Sequence, residues 1–318
     1  MLTYDQIAAA TPPGFSSRNL LEGMYLRNSW LTKPMLEALE PGMLPAYLRE
    51  VEDIWTVMRK MRPDQTEDQR LTEAMKGLQF HSMEFLKRQI EFAKTGEYKA
   101  SDYETVYNEV YNNASVMQNY LDGLLLTYIA WPNHYKLLNW YRDAYLAKAP
   151  AGECLEIGPG HGWLALLQLR SNPANRFLGL DISPHSVAYT RGCLTSAGIS
   201  PERWKVLEVD AQKGIAGHEK PFDRVVIAEV IEHLAQPQII VEAAKAHSKP
   251  DALFFITTVV NLEAVDHIFL FRKLQEVRDF CEKTCGLRIV DELDMPLKMN
   301  LKDMKDEAFE VAVVCRKA

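Results

Sequence analysis

The chain has 318 residues, of which 47% are hydrophobic and 25% are charged, a mixture typical of soluble globular proteins. Its formal net charge is −7. Affinity for nucleic acids comes largely from clustered Lys and Arg. Because the net charge is negative, we expect no nucleic-acid partner. The length favours two domains over one and is sufficient for a sizeable hydrophobic core.

The cysteines and the hydropathy pattern bear on the cellular compartment. The cysteines are scattered with no CxxC spacing, which favours reduced thiols over a zinc or redox site: Cys154, Cys193, Cys281, Cys285 and Cys315. No basic segment followed by an apolar run opens the sequence, and the longest apolar stretches are too short to span a bilayer. The sequence therefore predicts a cytoplasmic protein with no membrane partner.

Residues 1–148 are predicted to form an all-α region, because helix-favouring residues dominate and the breakers Gly and Pro cluster between them. A long amphipathic helix is predicted over residues 64–95, and Gly96 is expected to cap its end. Pro132 is expected to begin another helix, since proline fits the first helical turn. No strand pattern interrupts this half of the chain.

A further helix is predicted over residues 102–120. Tyr103, Tyr107 and Tyr111 recur at helical spacing and would share one face of it. Aromatic stripes mostly serve packing, but aromatic faces also attract cations. The tyrosine face therefore either packs against a neighbouring helix or lines the mouth of a ligand pocket, and the sequence leaves both open.

A glycine-rich turn stands at the centre of the chain. Residues 155–162 read Leu-Glu-Ile-Gly-Pro-Gly-His-Gly, so a short apolar strand runs into the turn, and a helical segment follows from Trp163. Glycines reach backbone angles that a Cβ forbids and let a ligand approach the main chain. Together with the free N–H groups of a helix start, this pattern indicates a nucleotide-type cofactor site on an α/β sheet.

Two acids at later strand ends strengthen this interpretation. Asp181 closes an apolar strand about 20 residues after the glycines, where such folds place a carboxylate for ribose hydroxyls. Asp210 follows the next strand, and a fourth strand over residues 222–228 precedes Glu229. A buried fifth strand is predicted over residues 252–260. Two final strands are predicted over residues 287–291 and 309–315, and helices are predicted over residues 183–197, with Ser183 as N-cap, and 238–247.

The stretch from Glu156 to His233 resembles the class I S-adenosylmethionine (SAM)-dependent methyltransferases, especially the small-molecule branch that includes ubiquinone-pathway O-methyltransferases. The residues that carry the resemblance are the glycine turn, Asp181, the pair Asp210-Ala211 and the run Glu-Val-Ile-Glu-His-Leu over residues 229–234. The resemblance implies an α/β fold with a doubly wound, Rossmann-like, seven-stranded sheet and a closing antiparallel hairpin. Residues 1–148 would form a helical cap and substrate domain, and residues 149–318 the SAM-binding core.

The resemblance also implies roles for individual residues. Gly158 and Gly160 would meet the methionine part of SAM, and Glu156 would brace the turn and orient the amino group. Asp181 would take the ribose hydroxyls, and the remaining contacts would come from Ile182, Asp210 and Ala211 at the adenine and from Glu229. Each acid could instead be a helix N-cap or a solvated strand end.

Catalytic and substrate residues are harder to assign. His233 follows the fourth strand and is our first candidate for a general base, with His267 second; a lone His is also a common hydrogen-bonded residue without such a role. The substrate is expected to contact Tyr128, Trp131, His134, Tyr135 and Asn261. No metal is predicted, although Glu229, Glu232 and His233 form an acid-rich turn at which some related enzymes bind a divalent ion.

Several functions stay open at this stage. The first is transfer of a methyl group from SAM to oxygen, nitrogen or carbon of a small molecule, by a chain that is a possible homodimer. The second keeps the fold but attacks the aminocarboxypropyl chain of SAM, as in azetidine-2-carboxylate-forming cyclases, with release of methylthioadenosine. The third is a non-catalytic SAM-binding protein. A nicotinamide or flavin enzyme is disfavoured, because Trp163 stands where a dinucleotide fingerprint needs its third glycine.

Overall fold

A computed structural model describes residues 2–99, 107–215, 217–297 and 307–318. The N-terminal part is helical, as predicted. Its α-helices are α1 (Tyr4–Ala10), α2 (Arg18–Glu22), α3 (Ser29–Ala38), α4 (Leu44–Met61), α5 (Glu67–Thr95), α6 (Ala114–Ala130) and α7 (Pro132–Trp140). One-turn π-helices follow α2 at Gly23–Arg27, precede α6 at Tyr107–Tyr111 and extend α7 at Tyr141–Leu146.

Local sequence signals explain where the long helix α5 begins and ends. Thr66 and Gln69 form a reciprocal capping box, in which each side chain bonds the other residue's backbone N–H. At the other end Gly96 adopts a left-handed conformation with φ of 69°, which confirms the predicted cap. Pro132 begins α7, also as predicted.

The predicted helix over residues 102–120 is wrong within the part of the chain that the structure describes. A π-helical turn at Tyr107–Tyr111 ends before Asn113, whose side chain accepts a hydrogen bond from the Val116 backbone N–H and so starts α6. Asn favours the N-cap position over a helix interior because its short side chain bonds nearby backbone N–H groups. Tyr103 lies outside the described residues.

The rest of the chain forms one seven-stranded sheet with the order β3-β2-β1-β4-β5-β7-β6. Its strands are β1 (Glu153–Ile157), β2 (Arg176–Asp181), β3 (Trp204–Glu208), β4 (Phe222–Ala228), β5 (Ser248–Val260), β6 (Leu287–Leu297) and β7 (Ala308–Lys317). The first five strands pair in parallel, and β7 pairs antiparallel with both β5 and β6. The doubly wound sheet with a closing antiparallel hairpin is therefore confirmed.

Helices α8 (Trp163–Ser171), α9 (Pro184–Ser196), α10 (Gln238–Ala246) and α11 (Leu274–Asp279) connect these strands. Ser183 caps α9, as predicted, by accepting a hydrogen bond from the Ser186 backbone N–H. Strand β6 is longer than expected and runs to Leu297 instead of residue 291. The extra length was missed because acidic residues are depleted in strands, whereas here Glu292 and Asp294 bind Arg278 beside the sheet.

The N-terminal helices pack directly on the sheet. The Tyr145 hydroxyl donates to the Val225 backbone carbonyl over 3.1 Å, and the Tyr141 ring meets Phe255 of β5 edge-on. The Trp163 indole N–H, at the start of α8, donates to Glu50 of α4 over 2.9 Å. The largest cluster of buried apolar residues includes members of both halves of the chain. This packing holds the helices above the sheet's carboxyl edge.

The structure also bears on the predictions about membrane spans and cysteines. Within the described residues, no helix combines the length and apolar character needed to cross a bilayer. All five cysteines are buried and free.

Candidate functional site

A cavity of about 630 Å³ lies between the carboxyl ends of the sheet strands and the N-terminal helices. Because parallel strands place their carboxyl ends at one edge, the residues that follow β1, β2, β3 and β4 meet there. The structure brings all of the predicted cofactor residues to this cavity: Glu156, Gly158, Gly160, Asp181, Ile182, Asp210, Ala211 and Glu229. Their roles remain predictions, but their convergence is a property of the fold.

The glycine turn after β1 provides an open stretch of backbone. Gly158 has φ of 70°, and a Cβ there would stand 2.6 Å from Val230, so only glycine fits. Gly160 has φ of 53°, and a Cβ there would meet only Leu121, at 3.9 Å, beside the cavity. His161 braces the turn through its Nδ1, which accepts the Trp163 backbone N–H over 3.1 Å. A ligand can therefore contact the main chain at Gly160.

Asp181 links the end of β2 to the glycine turn. One carboxylate oxygen accepts the Ser183 backbone N–H over 2.9 Å, and the other accepts the Gly160 backbone N–H over 3.2 Å. Each oxygen keeps a second lone pair for a ligand hydroxyl. Burial raises the pKa of Asp181 to about 6. The side chain thus serves both to fix the turn and to offer a bidentate acceptor for a vicinal diol.

Asp210 combines the two roles that the sequence left open. Its Oδ1 accepts the Gln212 backbone N–H over 3.0 Å and so caps a short helical turn. The side chain also lines the cavity beside Ile182 and Ala211, where it can accept from a purine amino group. Tyr107, one of the predicted tyrosines, lines a smaller adjoining pocket with Ile182 and Asp210.

Glu156 is a buried carboxyl group next to the turn. Its Oε2 accepts a hydrogen bond from the Gln168 side chain over 2.9 Å. Burial, opposed by this bond and reinforced by the charge of Asp181, raises the pKa of Glu156 to about 8. A cationic amino group beside Glu156 would favour its ionised form.

The raised pKa of Glu156 predicts how the stability of the ligand-free protein depends on pH. Its contribution is fully present below about 4.5, the ordinary pKa, and is lost as pH rises through about 8. The free energy of unfolding should therefore fall between pH 6 and pH 8, by up to about 1.4 kcal/mol per pH unit for each carboxyl group that titrates. The melting temperature of the free protein should fall with it. Thermal unfolding at several pH values should show a smaller slope for Glu156→Gln, and the same slope for the surface control Glu202→Gln. An unchanged slope in Glu156→Gln would contradict this assignment.

The two predicted catalytic histidines also line the cavity and lie together. Their ring centroids are 5.0 Å apart. His233 Nδ1 lies 3.0 Å from the Asp266 backbone carbonyl, and His267 Nδ1 lies 2.9 Å from the Leu262 backbone carbonyl. Because a carbonyl only accepts, each Nδ1 carries the proton, and each Nε2 presents a lone pair. Burial lowers the pKa of His267 to about 4, which keeps that ring neutral.

Asp266 orients His233 and was not predicted from the sequence. Its Oδ2 lies 3.5 Å from His233 Nδ1 and accepts the Tyr111 hydroxyl over 2.8 Å. Burial raises the pKa of Asp266, but His233, His267 and the Tyr111 hydroxyl outweigh it, so the net pKa is lowered. An ionised carboxylate beside His233 stabilises an imidazolium, as the Asp of a catalytic triad does.

Three side chains here could also hold a divalent cation. Ligand atoms of Glu232, His233 and His267 lie within 4.8 Å of one another. Glu232 is buried, its Oε1 has no hydrogen-bond partner among the described residues, and burial raises its pKa to about 7. Two imidazoles and a carboxylate suit iron, manganese or zinc ions. The expectation of no metal therefore stays a prediction, and chelation tests it.

The structure separates the predicted substrate residues into two groups. Tyr128, Trp131 and His134 line the cavity. Tyr135 does not: its ring is buried edge-on against Tyr47 of α4, because it lies on a different face of α7 from His134. Asn261 does not either; its amide donates to the Arg272 carbonyl over 2.9 Å and secures a positive-φ turn after β5. These two are corrected to structural residues.

Sequence analysis missed a second set of cavity residues, which come from helices and a strand far apart in the chain. They are Trp30, His81, Phe85, Leu86, Tyr120 and Glu310. The apolar stripes of α5 indicated a buried face but not a ligand. Glu310 stands in an otherwise apolar run of β7, and a lone acid in a predicted buried strand was the one available signal.

The family profile described as "Methyltransferase domain" matches residues 133–288. This segment contains the glycine turn, both acids at the strand ends and both predicted catalytic histidines, His233 and His267. Residues 133–288 therefore form a methyltransferase domain of the class I, SAM-dependent type. SAM is therefore its cofactor, and the open backbone at Gly160 and the paired acceptor oxygens of Asp181 fit an amino-acid tail and a ribose diol.

Curated relatives match part of this chain. The ubiquinone biosynthesis O-methyltransferase of Actinobacillus pleuropneumoniae serotype 5b (strain L20) is 28% identical over 128 residues, 39% of this chain and 54% of its own. That of Salmonella paratyphi A (strain ATCC 9150 / SARB42) is 28% identical over 126 residues, 38% of this chain and 50% of its own. The chain thus spans about half the length of the curated relatives it matches.

Solved structures are similar in fold alone. Mitomycin 7-O-methyltransferase aligns with a TM-score of 0.50 at 17% identity and covers 74% of this methyltransferase and 68% of its own chain. An O-methyltransferase family protein from Burkholderia thailandensis aligns with a TM-score of 0.51 at 12% identity, over 77% of this chain and 71% of its own.

Proposed function

We propose that the protein transfers the methyl group of SAM to oxygen, nitrogen or carbon of a small molecule held beneath the N-terminal helices. The observation that carries the proposal is the cavity itself. It joins a cofactor half, at Gly160, Asp181 and Asp210, to a separate aromatic half, at Tyr128 and Trp131. In this arrangement residues 1–148 are the substrate domain and residues 149–318 the SAM-binding core.

The protein's contribution to such a transfer is mainly positioning. SAM supplies an activated methyl group, so catalysis needs the acceptor in line with it and water excluded. Gly158 and Gly160 hold the methionine tail, Asp181 holds the ribose, and the buried rings of the aromatic half keep water out. Where the acceptor must lose a proton, His233 accepts it at Nε2, and Asp266 stabilises the resulting imidazolium.

A second candidate function is cyclisation of SAM itself, in which its amino nitrogen attacks its own side chain and releases methylthioadenosine. One observation favours it. Cyclisation needs the amino group unprotonated, and Glu156, with a pKa of about 8, lies beside the glycine turn where that group would sit. A carboxyl with so high a pKa accepts a proton better than an ordinary carboxylate. The same group would serve simple binding of the ammonium.

Incubation of the protein with SAM alone separates the two functions. For a methyltransferase we expect no methylthioadenosine and, once an acceptor from a small-molecule screen is added, S-adenosylhomocysteine (SAH) in proportion to methylated product. Liquid chromatography with mass spectrometry measures both nucleosides. Accumulation of methylthioadenosine without acceptor would establish cyclisation instead. The Asp181→Ala variant is the control for spontaneous breakdown of SAM.

A non-catalytic SAM-binding protein is the remaining alternative. For such a protein, calorimetry would show tight SAM binding, and the product assays would detect neither SAH nor methylthioadenosine under any condition. The partner we propose is a small molecule, with no nucleic acid or membrane involved; a homodimer is possible, and sedimentation would test it.

A further inference from the structure

One buried carboxyl group in the cavity has no assigned role. Glu310 lies on β7, pairs in register with Val259 of β5, and is only 3% exposed. Its Oε1 has no hydrogen-bond partner among the described residues. A buried carboxyl without a partner is costly, so its presence in a cavity wall indicates a group that arrives from outside.

The ring of His134 presents an acceptor to Glu310. His134 Nε2 lies 3.5 Å from Glu310 Oε1. The Thr127 hydroxyl donates to the Leu124 carbonyl over 2.6 Å, so it accepts the proton of His134 Nδ1, also over 2.6 Å. Burial lowers the pKa of His134 to about 3, so the ring is neutral and its Nε2 presents a lone pair. When Glu310 is ionised, two acceptors therefore face each other with no donor between them.

Aromatic rings surround this pair of acceptors. The Trp131 ring lies 5.0 Å from the ring of His134, 5.2 Å from Phe85 and 5.4 Å from His81, measured between centroids. Tyr128 lies 6.0 Å from His134. These rings and Glu310 line the same cavity, and we call the four rings around His134 the aromatic cage; the negative faces of aromatic rings attract ammonium groups.

Charge points in the same direction. Among the described residues that line the cavity there is no Lys and no Arg, whereas the acids include Glu229 and Glu310. Burial and the charge of Glu229 raise the pKa of Glu310, and a cation bound beside it would lower that pKa again and favour the carboxylate. An anionic substrate would find no counter-charge here, and a cationic one would find an unused carboxylate.

We propose that Glu310, His134 and the rings around them form an acceptor subsite that binds a primary, secondary or tertiary ammonium group of the methyl acceptor. This inference rests on the proposed function, since it concerns the second substrate. An ammonium supplies the missing donors: one N–H bonds Glu310, a second N–H of a primary or secondary ammonium can bond His134 Nε2, and the methylene carbons contact Trp131. The subsite would anchor the substrate and determine its class.

The sulfonium of SAM is a second cation that such a cage could take, but the sheet places the two sites apart. The glycine turn follows β1, and Glu310 lies on β7, three strands away across β4 and β5. Neighbouring strands are spaced by about 4.8 Å, so this separation is roughly 14 Å. The cofactor extends from β1 in the opposite direction, toward Asp181 on β2 and Asp210 after β3.

Three probes of equal size and different charge test the subsite: phenethylamine, phenethyl alcohol and hydrocinnamate. Calorimetry with the full-length protein, with and without saturating SAH, should show that the amine binds at least about tenfold more tightly than the alcohol, since hydrogen bonds to charged groups reach this size. Hydrocinnamate should not bind at millimolar concentration. Glu310→Gln should remove the preference for the amine and leave SAH affinity and melting temperature unchanged.

Glu263→Gln is the matched control, because Glu263 is equally buried, has one carboxylate oxygen without a partner and lies outside the cavity wall. It should keep the amine preference. Equal binding of all three probes, no binding of the amine, or an undiminished preference in Glu310→Gln would each overturn the subsite. A change in the ratio of SAM to SAH affinity in Glu310→Gln would assign the cage to the sulfonium and overturn it too. Failure of SAH to bind the parent protein would instead contradict the proposed function, and the titrations without SAH would still decide the subsite.

Discussion

Asp181→Ala is expected to lower the affinity for SAM and SAH by about 100-fold or more. The native carboxylate would accept hydrogen bonds from two ribose hydroxyls. Each hydrogen bond to a charged group contributes about 1.5 to 3 kcal/mol. The substitution also frees the Gly160 and Ser183 backbone N–H groups that Asp181 now binds, so the glycine turn loses its brace. Isothermal titration calorimetry with SAH measures the effect.

Asp210→Ala is the matched control, since that acid also follows a strand and lines the cavity. Its affinity loss should be smaller, because Asp210 would accept a single adenine amino group and braces only one backbone N–H, that of Gln212. Melting temperatures separate loss of the site from loss of the fold. If Asp181→Ala bound SAH as tightly as the parent protein, the ribose role and the cofactor orientation built on it would be wrong.

Residues that follow strands were predictable, because the pattern of an α/β sheet is local. An apolar run, a glycine turn or an acid, and then a helix repeat along the second half of the chain, and parallel strands bring those ends to one edge. That is why Gly160, Asp181 and Asp210 were found without a structure. The same logic placed His233, which follows β4.

Residues that depend on tertiary packing were not predictable. Glu310 reaches the cavity only because β7 inserts between β5 and β6, and no local signal fixes that order. His81 reaches it because α5 lies across α6, whose closest approach is marked by Gly77 and Gly123. A Cβ on Gly123 would stand 2.3 Å from the Gly77 carbonyl oxygen, so the helices touch backbone to backbone. Long-range contacts of this kind leave no period in the sequence.

Tyr135 and Asn261 were misplaced for a related reason. An aromatic cluster in sequence does not share one direction in a helix, and successive residues turn by about 100°. Trp131 and His134 therefore face the cavity while Tyr135 faces α4. Asn261 occupies a turn with a positive backbone φ, a conformation that Asn tolerates better than most residues.

His233→Gln is expected to lower kcat for methyl transfer by about 10²- to 10⁴-fold, the usual contribution of a general base, provided that the acceptor loses a proton. Glutamine preserves much of the volume and can still donate to the Asp266 carbonyl, but it cannot take up a proton at the position of Nε2. SAH affinity should stay unchanged, because the proposed cofactor contacts are made by other residues, at Gly160, Asp181 and Asp210. Single-turnover assays with the acceptor from the screen give the rate constant of the transfer step itself, which should fall by the same factor.

Two comparisons make the result for His233 specific. His247→Gln changes an exposed histidine on the far side of the sheet and should leave kcat unaltered. Asp266→Asn keeps the shape of the orienting residue but removes the charge that stabilises an imidazolium, so kcat should fall less than in His233→Gln while the pH profile shifts. Undiminished transfer by His233→Gln would exclude the base role. If a chelator abolished activity and a divalent cation restored it, His233 would be a metal ligand together with Glu232 and His267. The Nε2 lone pair that we expect to accept a proton would then bind the metal ion instead.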